Sequence, residues 1–243
     1  MDSTINRRDF IKATTATTAG VAALGAGITL TTYVNANENP VTNEKRWGML
    51  VDTNRLTESD IDGMVTACQK ENGWGNETHS TGDQKASWIK KIKVKDTATQ
   101  RISNLALMCQ HCEEPPCVDV CPTNASMKRE DGIVLVDKHR CIGCRYCMMA
   151  CPYDARSFVH EDITNQKEHM PRGKGTVESC TMCVHKVDKG GQPACVEAVN
   201  SDAVIFGDLL DVTSNIHQTL KRVQSTQIRA DLNLNTAVRY SGI

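Results

Sequence analysis

The sequence predicts an α+β fold of two nested, pseudo-symmetric lobes with short β-hairpins, loop insertions and a C-terminal helix. Three observations carry this expectation. Cysteine accounts for 12 of the 243 residues and falls into groups that repeat. Short apolar runs broken by tight turns recur along the chain, and one stretch near the C-terminus has clear amphipathic helical spacing. Aromatic residues make up only 4%, so much of the core has to come from aliphatic side chains and from whatever the cysteines bind.

In chain order, Trp47 to Asp52 reads as a strand and Asp60 to Asn72 as a helix capped by Ser59. Gly73 to Asn104 is polar apart from Trp88-Ile89 and Ile92 to Val94, which predicts a surface excursion with one short hairpin. Ala125 to Asp137 reads as strand, a Glu130-Asp131-Gly132 turn, and strand Ile133 to Val136. Cys144 to Cys151 should start a short helix and Ala155 to His160 a return strand. A linker rich in Lys and Gly follows from Thr164 to Thr176, then a closing strand at Ala203 to Phe206. Ser214 to Arg229 is the amphipathic helix, with Ile216, Leu220, Val223 and Ile228 near one face.

The cysteines divide into three sets of four. Cys109, Cys112, Cys117 and Cys121 are spaced C-x2-C-x4-C-x3-C, and Cys141, Cys144, Cys147 and Cys151 are spaced C-x2-C-x2-C-x3-C with Pro152 following. The second run is the bacterial ferredoxin signature, so both lobes are expected to be of the tandem 2[4Fe-4S] bacterial-ferredoxin type. In such ferredoxins the fourth cysteine of each run serves the cluster of the other run. Applied here, Cys109, Cys112 and Cys117 take Cys151, and Cys141, Cys144 and Cys147 take Cys121. The same crossing sends the isolated Cys68 to Cys180, Cys183 and Cys195, giving three [4Fe-4S] clusters with no cysteine left over. A fourth site would need cysteines upstream of Cys68 and at position 199, but Leu56 to Ala67 has none and position 199 is Val199. A protein-filled pocket is expected there.

Disulfides are disfavoured because a C-x2-C-x2-C-x3-C run turns its thiols inward together. Structural zinc accounts for paired C-x2-C elements but not for the third and fourth cysteine of each run.

Asn6-Arg7-Arg8-Asp9-Phe10 followed by a mildly apolar Thr/Ala/Gly stretch and Val34-Asn35-Ala36 reads as a twin-arginine export signal, cleaved after Ala36. A retained membrane anchor is the competing possibility, weakened by the threonines that interrupt the apolar run. The expected organisation is therefore a signal peptide (1–36), an outer lobe (37–100 with 164–210) holding one cluster, an inserted inner lobe (101–163) holding two, and a C-terminal helix and tail (211–243). Beyond Ala36 there are 25 basic and 27 acidic residues, a balance that does not suggest nucleic acid as a partner. No nucleophile with an adjacent base, paired carboxylates or phosphate loop stands out, so no catalytic residue is expected.

Residues 47–210 resemble the periplasmic ferredoxin-like iron–sulfur subunits of the molybdopterin-oxidoreductase and NrfD-linked families. The matching residues include Trp47-Gly48-Met49, Ala67-Cys68-Gln69-Lys70-Glu71-Asn72, Glu114-Pro115-Pro116-Cys117, Cys121-Pro122-Thr123, Cys141-Ile142-Gly143-Cys144, Cys180-Thr181-Met182-Cys183 and Pro193-Ala194-Cys195. That family carries four clusters. Here Leu56 stands where its first cysteine would fall, and Cys68 lies two residues further on than the family spacing. The lost site together with the export signal is most similar to the DsrO-type branch, linked to dissimilatory sulfite reduction. The resemblance implies an electron-transfer subunit without a substrate site, located in the periplasm. It also implies as partners an NrfD-like polytopic membrane subunit that meets quinone, a periplasmic multihaem cytochrome c and other membrane-complex subunits. The β subunit of a periplasmic molybdopterin enzyme is the main alternative, and a module whose clusters are purely structural is a second.

Other residues carry weaker expectations. His111 either bonds a cluster sulfur or packs behind it, and His185 is structural. His139, His160 and His169 are solvated. Trp74 and Trp88 pack in the core or anchor turns, with docking of a partner as the alternative, and Arg172 and Lys174 belong to a solvated charged loop, with a carboxylate-lined partner as the alternative.

Overall fold

A computed structural model describes residues 41–164, 166–199 and 201–243; the expected export signal and its cleavage after Ala36 lie outside the described residues. The elements are β1 (Trp47–Asp52), α1 (Glu58–Asn72), β2 (Ile89–Lys95), β3 (Ile102–Met108), α2 (Pro116–Asp119), β4 (Ser126–Lys128), β5 (Val134–Val136), α3 (Tyr146–Met149), β6 (Arg156–Phe158), β7 (Val177–Ser179), α4 (Val184–Val187), α5 (Ala194–Glu197), β8 (Val204–Asp208), α6 (Asn215–Arg222) and β9 (Val238–Ser241). Helices and small sheets alternate, which is an α+β architecture. Among the described residues no helix is long and apolar enough to cross a membrane.

The widest sheet has β1 at its centre, antiparallel to β8 and parallel to β9. Its middle residues Met49, Leu50 and Val51 are all buried, as a strand covered on both faces requires. Gly48 is needed where it stands, because a Cβ there would meet the Ala237 carbonyl at 2.5 Å. The remaining pairings, β2–β3, β4–β5 and β6–β7, are antiparallel ladders.

Helix α1 starts two residues before the expected point. Its cap is Thr57, not Ser59: the Thr57 hydroxyl accepts from the Asp60 amide at 3.1 Å while the Asp60 carboxylate accepts from the Thr57 amide at 2.9 Å. This box places Leu56 before the cap and Ile61 four positions after it, a hydrophobic staple buried in one core. A start at Ser59 would put Glu58 and Gly63 in those two positions. The helix ends where Gly73 turns left-handed (φ 71°) and its amide bonds the Gln69 carbonyl at 2.7 Å.

The segment from Gly73 to Asn104 is more than a surface excursion. Trp74, Ala86, Trp88 and Ile89 are buried, and the two indoles stack with centroids 6.3 Å apart. The alternation of Ile89-Lys90-Lys91-Ile92-Lys93 turns Lys91 and Lys93 toward Glu58 and Asp62 of α1, while the tryptophans fill the space between this ladder and the cysteine loops.

The C-terminal region is also corrected. The helix spans only Asn215–Arg222, capped by the Ser214 hydroxyl on the His217 amide at 3.2 Å. Val223 is extended, and Thr226 exchanges backbone hydrogen bonds with Tyr240 at 2.7 and 2.9 Å. The expected tail is therefore strand β9, and the helical placement of Ile228 was coincidental. Fully buried Tyr240 locks it down, its hydroxyl donating to the Ala106 carbonyl at 3.1 Å and accepting from Gln110 at 3.2 Å.

Arg172 is not solvated but buried, and it donates to both Glu178 oxygens (2.9 and 2.8 Å), to the Gly73 carbonyl (2.7 Å) and to buried Glu77. Burial opposes its charge, but the two carboxylates outweigh it and raise its pKa. Arg172→Ala would leave two carboxylates in the interior, and a loss of about 3–5 kcal/mol is expected. Urea unfolding of the cluster-loaded protein checks this, and a change below about 1 kcal/mol, the range of an exposed pair, would contradict it. Lys174 is exposed beside Asp162, as a solvated loop residue should be.

Candidate metal centres

The first C-x2-C loop of each cysteine run turns at the same place. His111 (φ 42°), Gly143 (φ 71°) and Met182 (φ 55°) each sit just before the second cysteine, in the left-handed region. Asn124 (φ 51°) and Asp154 (φ 46°) each sit three residues after the Cys121 and Cys151 that precede prolines. Non-glycine residues held left-handed cost on the order of 1–2 kcal/mol, so a set of them in matching places marks a constrained site. Gly143 also cannot carry a Cβ, which would collide with the Gly175 carbonyl. These turns aim backbone amides at sulfur: Ser126 N–H toward Cys121, Val177 N–H toward Cys141 and Met182 N–H toward Cys180, all at 3.4 Å.

Eleven of the twelve thiols fall into three neighbouring groups, as their effects on one another's ionisation indicate. Cys68 is pushed up to about 12, first by burial and then by Cys183 among others. Cys180 is raised by burial, Cys68 and Cys195, and Cys195 by burial, Cys68 and Cys183. Cys109 and Cys112 are pushed up to about 12 by burial, with Cys117 and Cys151 adding to it. The same four thiols line one small pocket. Cys147 is raised by burial and by Cys141 and Cys121. For Cys121 the burial effect is outweighed by hydrogen bonds from Ser126 and Thr123, which lower its pKa. Cys144 is exposed on the loop beyond Gly143.

The three sets also have an order. Cys180 feels Cys109 of the second set, and Cys117 of that set feels Cys147 of the third. The Cys109 set thus lies in the middle, with the Cys68 set on one side and the Cys141 set, ending in exposed Cys144, on the other.

The donor sets fit iron–sulfur clusters better than single ions. None of the twelve cysteines is in a disulfide. Among the described residues no three cysteine sulfurs lie within 4.8 Å of one another, whereas a single zinc ion with Zn–S bonds of about 2.3 Å would hold its sulfurs roughly 3.8 Å apart. The pocket of Cys109, Cys112, Cys117 and Cys151 is also lined by Tyr153 and Arg156, and the Tyr153 hydroxyl and Arg156 Nη1 are both buried without a protein partner. Donors aimed at a thiol-lined pocket suit a group rich in sulfur acceptors.

Around the sulfurs, the contacts differ between sets. At the Cys68 set the donors are neutral: Trp74 Nε1 donates to Cys68 Sγ at 3.1 Å, and Asn72 Nδ2 lies 3.5 Å from Cys68 Sγ and 3.8 Å from Cys183 Sγ. At the Cys109 set the donor is charged, with Arg156 Nη2 donating to Cys117 Sγ at 3.0 Å. Sequence reasoning missed Trp74, Asn72 and Arg156 as sulfur contacts. The Cys-Pro-Tyr-Asp-Ala-Arg run places Arg156 just past the ferredoxin signature, but only β6 turns its side chain inward.

His111 is buried and accepts from the Val134 amide through Nδ1 at 3.0 Å, so its proton sits on Nε2. Burial, then Arg156, lowers its pKa to about 3 and keeps it neutral. His185 is half-buried, its Nε2 2.8 Å from Glu71 Oε1, and its ring lies 4.0 Å from that of His169, which contacts the Glu71 carbonyl at 3.0 Å instead of being free in solvent. His160 packs edge-on to Phe158, and His139 is exposed. Leu56, Ile61 and Met64 are buried, and Val199 packs against the same core, so apolar side chains fill the region where further cysteines would have stood.

Residues 101–209 match the 4Fe-4S dicluster domain family. Over its whole length the chain is similar to the Hdr-like menaquinol oxidoreductase iron-sulfur subunit 1 of Archaeoglobus fulgidus, 39% identical across 98% of each protein. It is 39% identical to a tetrathionate reductase subunit of Salmonella typhimurium, across 70% of this chain and 61% of that one. It is 32% identical to a sulfite dehydrogenase subunit of Allochromatium vinosum, across 72% and 75%. With its thiol sets and these relatives, the chain belongs to the ferredoxin-like 4Fe-4S iron–sulfur subunits of multi-subunit oxidoreductases, which transfer electrons and do not themselves turn over substrate.

Proposed function

We propose that this chain carries three [4Fe-4S] clusters and relays electrons between a quinone-interacting, NrfD-like membrane subunit and a multihaem cytochrome c in a sulfite-reduction-linked respiratory complex. The single observation that supports the relay is the order of the thiol groups, Cys68 with Cys180, Cys183 and Cys195, then Cys109 with Cys112, Cys117 and Cys151, then Cys141 with Cys147 and Cys121, a set that Cys144 completes in this reading. Bound there, each cluster supplies reversible one-electron storage. The chain's own residues keep water from the sulfurs of the first two sets, aim amides and side-chain donors at them, and expose one thiol of the third. The reading keeps two nested lobes, the outer one holding a single set and the inner one the two sets between which Cys121 and Cys151 cross. Export of the folded protein to the periplasm rests on Arg7-Arg8, and association with the membrane complex on its partners.

The quinone side of the reading is supported by the full-length similarity to a subunit whose name specifies a menaquinol oxidoreductase. A molybdopterin-enzyme role is supported by the shorter matches to tetrathionate reductase and sulfite dehydrogenase subunits. Anaerobically purified protein is expected to hold about twelve irons and as many labile sulfides, three cubanes' worth, all reducible in an EPR-monitored titration. About eight irons would remove Cys68 from the ligands, and about sixteen would require a site with other donors. Clusters that hold the fold but cannot be reduced would overturn the relay in favour of a structural module.

A further inference from the structure

We propose that Arg156 is a shared electrostatic clamp on the two thiol sets nearest it, holding the reduction potentials of both clusters up together while hydrogen-bonding no sulfur of the Cys68 set. The inference rests on the iron–sulfur reading and adds to it a residue that couples two of the sites.

Arg156 is 3% exposed on β6. Its Nη2 donates to Cys117 Sγ at 3.0 Å and to Ser126 Oγ at 2.8 Å, and Cys117 packs in one small buried cluster with Cys147, whose thiol also favours the guanidinium's charge. Cys117 belongs to the middle set and Cys147 to the exposed one, so a single side chain spans the junction between them. Other inward-facing arginines have carboxylate partners: half-buried Arg129 is paired with Asp131 and Asp188, and buried Arg172 with Glu77 and Glu178. Among the described residues no carboxylate pairs with Arg156; the groups that favour its charge are Cys117, Cys109 and Cys147. A buried guanidinium facing only neutral thiols would carry a large desolvation penalty, and Nη1 would still lack an acceptor. Thiolates and sulfides bound to iron supply the missing negative charge.

The consequence for electron transfer follows from charge alone. Accepting one electron makes a site more negative by one unit, and a cation fixed at hydrogen-bond distance favours that form. Trp74 and Asn72 at the Cys68 set bring dipoles and no charge. Arg156 therefore raises the middle and exposed sites above where they would stand without it, an effect the Cys68 site, whose nearby charges are Glu71 and Lys186, does not share.

The test is a redox titration of the full-length, cluster-loaded protein, followed by EPR, for wild type, Arg156→Gln and Arg156→Lys, with iron content measured alongside. In Arg156→Gln the two clusters next to Arg156 should each become at least tenfold harder to reduce, about 60 mV for a one-electron couple, while the third keeps its wild-type potential. Arg156→Lys, with one ammonium in place of a fork, should restore at most one of the two. Unmoved potentials in Arg156→Gln, or equal shifts in all three clusters, would overturn the clamp and leave the relay standing. Should Arg156→Gln lose iron from these sites, Arg156→Lys decides: two wild-type potentials overturn the clamp, and one lowered potential supports it. A wild-type protein with no reducible cluster would defeat the iron–sulfur reading itself.

Discussion

Removing iron from the protein anaerobically with a chelator is expected to unfold the segment from β3 to α5 while the β8-β1-β9 sheet keeps part of its structure. The elements that carry the cysteines are too small to stand alone. Helices α2, α3, α4 and α5 have four residues each, and strands β4, β5, β6 and β7 have three. One helical turn is far below the length at which an isolated helix is stable in water, and two-stranded ladders are marginal. What would otherwise hold them is apolar core, yet one of the two core clusters consists of Cys117, Val134, Cys147 and Val177 with few partners. In such a region the binding free energy of the metal is folding free energy, on the order of 10 kcal/mol for a structural metal site. The outer sheet differs, because Met49, Leu50, Val51, Val238 and Tyr240 are buried against one another's strands without needing a thiol. Hydrogen exchange should therefore show rapid exchange of amides between 109 and 197 in the iron-free protein, with protection surviving in β1. Equal protection of both regions with and without iron would contradict this account.

How much of this was legible beforehand depended on the kind of signal. Cysteine spacing is a local signal and marks the metal-binding runs directly, whereas the neighbourhood of Cys151 with Cys109, Cys112 and Cys117 depends on how the chain crosses between runs. Strand β1 and hairpin β4–β5 were readable because apolar runs and a tight glycine turn are local signals too. The misses were tertiary. Nothing within Val238-Arg239-Tyr240-Ser241 says that it will lie parallel to β1, since the pairing partner is nearly two hundred residues away. Arg172 reads as a loop charge because the carboxylate of Glu77 and the carbonyl of Gly73 reach it from far upstream, and only the turn into β7 brings Glu178 back onto it. Ser59 and Thr57 both begin plausible capping boxes, and only the burial of Leu56 with Ile61 separates them. Arg156 was missed for the same reason, as its contacts with Cys117 and Ser126 cross between strands.

Cys151→Ala should produce the same lesion as Cys112→Ala and a different one from Cys144→Ala, although Cys151 is much nearer to Cys144 in sequence. Helix α3 carries the chain from Cys147 to Cys151 in one turn, and the left-handed Asp154 then folds it back toward β6. That path delivers Cys151 to the pocket of Cys109, Cys112 and Cys117, where Tyr153 and Arg156 also sit. Cys121 makes the reverse crossing after α2 and reaches Cys147. Losing Cys151 should thus either convert the middle cluster to a three-iron form or remove it, a loss of about one to four of twelve irons. The clusters of the Cys141 and Cys68 sets should titrate as in wild type, since neither shares a ligand with the middle one. The alternative, ligation within each sequential run, makes Cys151→Ala match Cys144→Ala and makes Cys121→Ala match Cys112→Ala. EPR of the four single variants, each reduced stepwise, separates the two: if the Cys151→Ala spectrum lacks the same signal as Cys144→Ala, the crossed arrangement is wrong and the order of the relay built on it falls too.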